Sequence, residues 1–377
     1  MGSSFAFWFD GIFLCTVSLI GNVMNILAIS VLWTNRNKMK KLFHKLIISL
    51  FCADCAVLMT SMLWNLRWSL GLKAEWLTVL YPYFILPFNH IGMTVSIFLT
   101  LAIAHERYQA LNNPTVERQQ NGRLPLQMRR LLMYVVPIVS FSILFNIPKF
   151  LELKVIYAPR EVHKNIKSKE AEGTATTNFI ENVQYSTGMF STIKDKALVP
   201  EIYISDFLIK NQYYLAHYYW ACVVILGVVP LFAMTYLIFA IRRTFRQQSY
   251  DLTNTSDEDS SISLQNRNRE DELAATKMAI AIAVVFLICH GIRTFVQIFI
   301  GSCELIDTCN SAGWHPIMLS LNNFFIILKS SINIIIYCFV CKRFRRKCTE
   351  KASDWINAIA LKEIWRTDIQ ANNTMII

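Results

Sequence analysis

Glu106 and Arg107 sit together at the end of a long apolar run, within SIFLTLAIAHERYQALNNP, Ser96 to Pro114. A charge pair at the end of a membrane-length helix is costly unless it has a role there. An acid beside an arginine makes an electrostatic lock: paired, the arginine is held, and released, it can contact a partner. Asp54 in LFCADCAVL and Lys329 in LKSSINIIIY lie inside two other apolar runs. An ammonium in a dry bundle must find a counter-charge. Asp54 is read as the only acid inside any of the runs, so the two are expected to pair. The alternative is that Lys329 turns outward and snorkels. Phe286, His290, Arg293 and Gln297 recur at +4, +7 and +11 on one helical face. That face is polar toward its outer end, so it is expected to point inward. Arg293 is the candidate for an acidic or carbonyl group of a ligand. His290 reads as a core histidine rather than a metal ligand, because no second His or Cys has matching spacing.

These residues need a frame, and the composition supplies it. The chain has 377 residues, 54% hydrophobic and 17% charged, with a mean hydropathy of +0.36. That is too apolar for a soluble protein of this length. Seven runs have spanning length: Gly11 to Trp33, Leu46 to Leu66, Trp76 to Ala104, Leu131 to Leu151, Tyr213 to Ile241, Met278 to Ile300 and Ile317 to Cys341. A span takes about 20 apolar residues, and in lipid only helices or closed barrels satisfy the backbone. The expected fold is all-α, a seven-transmembrane-helix bundle.

The net charge of +11 sits in short basic blocks beside the runs, which argues for membrane topology and against nucleic acid. Those blocks follow runs one, three, five and seven, so the amino terminus is expected outside and Arg107 inside. The first span is expected to act as its own signal anchor. Glu152 to Gln212 forms a long outer loop. Asp251 to Ser263, DLTNTSDEDSSIS, reads as disordered, its serines either kinase substrates or part of a solvated linker. No inverted repeat points to a transporter. No Ser-His-Asp order, metal cluster or phosphate loop points to an enzyme or a cofactor.

The ERY segment and the proline after it resemble the rhodopsin-like G-protein-coupled receptors. The resemblance covers about Asp10 to Lys347. It implies a coupling switch of Glu106, Arg107, Tyr108 and Tyr337, and a short amphipathic eighth helix. It divides the chain into a receptor domain, 1–341, and a cytoplasmic tail, 342–377. In that family, residues matching Asn22, Asp54, Ser96, Ser330 and Asn333 converge at mid-membrane and often hold a sodium ion. Lys329 stands where asparagine is usual, so its pair with Asp54 is expected to replace that ion. A retinal-binding lysine would lie six residues before Asn333, at Ile327. Two residues turn a helix by about 200°, which excludes Lys329 from that role. Asn89 stands where amine receptors carry an aspartate.

YPY at Tyr81, FNIPKF in the fourth run, Cys289-His290 with Arg293, and SS-x-N-x-x-IYC in the seventh are similar to the insect and nematode receptors of FMRFamide type. That resemblance implies an extracellular peptide ligand, a heterotrimeric G protein, and a plasma-membrane location amid lipid. By helical position, Asn89, His90, Met93, His290, Arg293, Gln297, Asn322 and Asn323 would line the ligand pocket. Glu201, Asp206, Glu304 and Asp307 are the outer acids available to a basic peptide. Pro82 occupies the position of the family's usual third-helix cysteine, and Glu152 to Gln212 contains no cysteine. The outer loop is therefore expected to be loosely held. Cys303 and Cys309 would close a small loop of their own. The alternative function is a diverged, non-signalling or constitutive seven-helix protein with an adhesion or trafficking role.

Overall fold

The structure is a computed structural model that describes residues 5–34, 42–72, 74–113, 124–159, 198–206, 211–253, 262–306, 314–341 and 344–357. Seven helices are long and apolar enough to cross a membrane. They are α1 (Phe7–Thr34), α2 (Leu42–Trp68), α3 (Glu75–Asn112), α4 (Leu124–Phe145), α5 (Gln212–Thr253), α6 (Ile262–Ile306) and α7 (Trp314–Val340). Helix α3 packs against α2, α4, α5 and α6, while α7 closes the ring onto α1, α2 and α6. The bundle is therefore organised around the helix that ends in Glu106 and Arg107.

Local sequence explains the irregular turns. Tyr81–Ile85 of α3 and Val223–Val228 of α5 form wider π-type turns. Pro82 lies inside the first, and Pro230 follows the second by two residues. Proline lacks an N–H and crowds the preceding turn, and a π-bulge accommodates that locally. Helix α7 carries Ile334, fully buried, and runs unbroken through it. Gly21 of α1 sits against α2: a Cβ there would lie 2.9 Å from Leu58 Cδ1.

The all-α seven-helix expectation holds, with four refinements. First, the bundle carries a short hairpin. Strands β1 (Leu153–Pro159) and β2 (Leu198–Ile204) form an antiparallel hairpin, pairing Leu153 with Ile204 and Ile156 with Glu201. Second, the described ends of that loop are held without a disulfide. Leu153 and Ile202 pack on Leu77, Tyr81, Ile85 and Leu86 at the top of α3, and Lys154 pairs with Asp206 at 2.6 Å. Burial and the Glu201 carboxylate push the Tyr203 phenol up to about 12, so its hydroxyl stays protonated and donates to Glu201 at 2.9 Å. Third, the first span begins before the run read from sequence and takes in Asp10, buried in α1, where it accepts a 2.5 Å hydrogen bond from Ser320. Fourth, α5 continues through Thr253 and α6 begins at Ile262, so both ends of the stretch read as disordered are helical. Residues 254–261 lie outside the described residues.

The eighth helix is present. In α8 (residues 344–357), Phe344 and Cys348 are buried, and Ala352 and Trp355 pack on the same core. Arg345, Arg346 and Glu350 are exposed. The spacing of four, four and three marks one apolar stripe, which makes α8 amphipathic.

Candidate functional site

The lock at the foot of α3 is closed. Arg107 Nε and Nη2 donate to Glu106 Oε2 and Oε1, each at 2.6 Å. Both side chains are buried, and the guanidinium lies 4.4 Å from the Phe43 ring centre on α2. A fork of two charge-assisted bonds is strong and directional. Tyr108 is half-buried beside the α5 core. Tyr337 is fully buried, packed between Phe51 at 6.3 Å and Phe344 of α8 at 4.2 Å. The expected switch residues thus occupy one end of the bundle. Tyr337 is held there by ring packing against α2 and α8.

At mid-bundle, Asp54 is fully buried and is met by side chains of two other helices, α3 and α7. Ser96 Oγ donates to Oδ1 at 2.5 Å and Asn333 Nδ2 to Oδ2 at 2.6 Å. Lys329 Nζ donates to Ser96 Oγ and lies 3.6 Å from Asp54 Oδ1. Lys329 is 12% exposed, so it turns inward, as the single-acid argument expects, and does not snorkel.

Asn22 is not part of this cluster. Its amide donates to Ser18 of its own helix at 3.1 Å. Asn25 takes the place expected of it, fully buried and donating to the Ser330 carbonyl at 3.1 Å. The signal was in the sequence: Leu14, Ser18, Gly21, Asn25, Ala28 and Leu32 are buried at alternating spacings of four and three. Asn25 lies on that stripe, and Asn22 lies beside it. Replacing Asn25 with alanine removes this interhelical hydrogen bond, and is expected to cost about 0.5–1.5 kcal/mol of stability. Asn22→Ala is expected to be near neutral, and melting curves of the two purified variants compare them directly.

A small cavity of about 20 Å³ lies just above Lys329. Of the expected pocket residues, Met93, His290 and Arg293 line it, together with Ser96, Lys329 and Ser330. His290 stacks on Phe286, 4.7 Å between ring centres. Asn89 is occupied elsewhere. Its amide donates to Thr60 Oγ1 at 2.8 Å and Ser61 Oγ at 3.0 Å, tying α3 to α2. His90, Gln297, Asn322 and Asn323 are half-buried and lie outside the cavity wall. The Gln297 carbonyl accepts from the Tyr219 hydroxyl at 2.6 Å. Cys303 is disulfide-bonded, while Cys309 and Asp307, and the side chain of Glu304, lie outside the described residues.

The arrangement is therefore a seven-helix ring with a charge lock at one end of α3, a buried ion pair at its middle, and a cation-lined cavity above. Residues 24–163 match the family described as "7 transmembrane receptor (rhodopsin family)". That stretch, fewer than half of the chain's residues, is similar to the family. The chain's relatives align along most of its length. The FMRFamide receptor of Drosophila melanogaster is 21% identical over 90% of this chain and 53% of its own length. The type-2 angiotensin II receptor of Rattus norvegicus is 25% identical over 88% of this chain and 76% of its own. The human B1 bradykinin receptor is 24% identical over 73% and 65%. The chain spans about half the length of the FMRFamide receptor it matches. That similarity together with the seven apolar helices marks a multi-pass membrane protein.

Proposed function

We propose that this chain is a receptor for an extracellular neuropeptide of FMRFamide type that activates a heterotrimeric G protein at the plasma membrane. The observation that carries the proposal is the closed, buried Glu106–Arg107 pair at the foot of the central helix. A lock sealed away from solvent is silent until something moves the helices around it. Binding at the opposite end supplies that bias by favouring the arrangement with α6 displaced from α3. Arg107 then leaves Glu106 and meets the G protein. In this reading the amino terminus is outside, 1–341 form the receptor domain, and 342–377 the cytoplasmic tail with α8.

The peptide side rests on the matched relatives, which are named for peptides. The outer end of the bundle carries the β1–β2 hairpin as a rim, with Glu201 and Asp206 on it. Both acids already have partners in the hairpin, so a basic peptide must compete for them.

The test is a screen of amidated neuropeptides on cells expressing the chain, read by calcium and cyclic-nucleotide responses, with Arg107→Ala as the control. A peptide response that disappears in Arg107→Ala, at equal surface expression, is the expected result. No response to any peptide at normal surface expression favours the second reading, a seven-helix protein that does not signal. The unbroken passage of α7 through Ile334 is the observation on that side, because it removes a hinge device from the moving half.

A further inference from the structure

Among the described residues two arginines are buried, and they are treated differently. Arg107 is neutralised by Glu106. Arg293 is 6% exposed, its Nε has no hydrogen-bond partner, and it belongs to none of the ion pairs among the described residues. A buried charge left unpaired costs several kcal/mol. A protein that keeps one either neutralises it or brings in a counter-ion. A guanidinium stays charged in a protein, so neutralisation by proton loss is closed to it.

The cavity beside Arg293 fits the second course. Its wall contains a second cation, Lys329, whose charge is already answered by Asp54. It also contains His290, Ser96 and Ser330. The remainder is apolar or weakly polar: Val57, Met93, Ile97, Cys289, Phe325 and Ile326. With Asp54 spent on Lys329, Ser96 and Asn333, the wall carries one unanswered positive charge. A cavity needs roughly 10–15 Å³ to admit a water, so a space of about 20 Å³ takes one small occupant and not a peptide side chain. Water would fill it without supplying charge. We propose that this cavity is a binding site for a single small monovalent inorganic anion, chloride being the class member that fits, held chiefly by Arg293 and supported by Lys329. The anion completes the charge balance between the peptide-facing end and the Asp54 pair. This holds whether or not the chain responds to a peptide.

The test uses the full chain, purified without peptide and reconstituted in lipid nanodiscs. Its melting temperature is followed as chloride or bromide replaces gluconate, an anion too large to enter, with the cation held fixed. Saturable stabilisation by both halides, by about 2–4 °C or more, is expected. Arg293→Met is expected to abolish the halide response, and to melt at or above wild type in gluconate because the unpaired charge is gone. Should Arg293→Met fail to fold, Arg293→Lys serves instead: it keeps the charge, and its halide response is expected to persist with altered chloride-to-bromide preference. Melting that is indifferent to halide in the wild type overturns the proposal. So does a halide response that survives unchanged in Arg293→Met, or that is identical in strength and preference in Arg293→Lys.

Discussion

Glu106→Gln is expected to raise ligand-independent G-protein activation at least tenfold over wild type at equal surface expression. The reasoning is asymmetric between two states. In the closed bundle Arg107 is buried, and Glu106 supplies both oxygens of its fork at 2.6 Å. A glutamine of the same size leaves the guanidinium in the same dry place with one neutral acceptor. Removing one partner of a buried pair costs about 3–5 kcal/mol. That cost falls on the closed state alone, because in the open state Arg107 faces solvent or the G protein. Each 1.4 kcal/mol is a factor of ten in population, so even half of the penalty moves the balance past tenfold. Nucleotide exchange on G protein in membranes from the two cell lines measures it without any peptide. Equal basal exchange in variant and wild type would show that the pair is structural and not a lock.

The same pair shows what the chain's sequence carries openly. Seven spans were legible because lipid demands long, uncharged helices, and no other pattern in the chain mimics them. The α8 stripe followed the resemblance and matches the burial of Phe344, Cys348 and Trp355. The Lys329–Asp54 contact is legible by elimination, because Asp54 is the only acid inside the apolar runs. The errors have a common origin in geometry that no linear count contains. Asn22 enters through the family resemblance, whereas the heptad spacing of α1 places Asn25 on the buried stripe. Asn89 looked like a pocket residue by height along α3, but Thr60 and Ser61 on α2 stand within hydrogen-bonding reach of it. The hairpin was missed because its strands, LKVIYAP and LVPEIYI, are short pieces at the two ends of a long polar loop. Their pairing is non-local, and their apolar face exists only once α3 is in place. That Arg293 joins no ion pair among the described residues depends on where the neighbouring acids sit in three dimensions, which the sequence does not contain.

The second large effect concerns the Asp54–Lys329 pair and sodium. In the wild type, melting in lipid nanodiscs is expected to be indifferent to sodium, compared as sodium against choline in chloride-free gluconate so that the anion cavity stays constant. The cation position beside Asp54 is already filled: Lys329 Nζ is 3.6 Å from the carboxylate and shares Ser96 with it. Lys329→Asn removes that ammonium and leaves a buried carboxylate held by Ser96 and Asn333. Without a cation the variant is expected to lose about 3–5 kcal/mol. With sodium it should regain part of that, because a hard cation prefers carboxylate, hydroxyl and carbonyl oxygens, which Asp54, Ser96 and Ser330 supply. Binding at a hundredfold over the dissociation constant would return about 2.7 kcal/mol. Asp54→Asn is expected to be equally damaging and unresponsive to sodium, since it strands the lysine instead. The double variant, Asp54→Asn with Lys329→Asn, has no charge to answer and is expected to be far more stable than the sum of the two losses. Coupling of this size is the signature of residues in contact. Wild-type stabilisation by sodium as large as that of Lys329→Asn would mean that the lysine does not occupy the cation's place. Strict additivity of the two losses would mean that the charges do not answer one another. If both expectations hold, the cation that answers Asp54 is part of the chain, and the middle of the bundle carries it permanently.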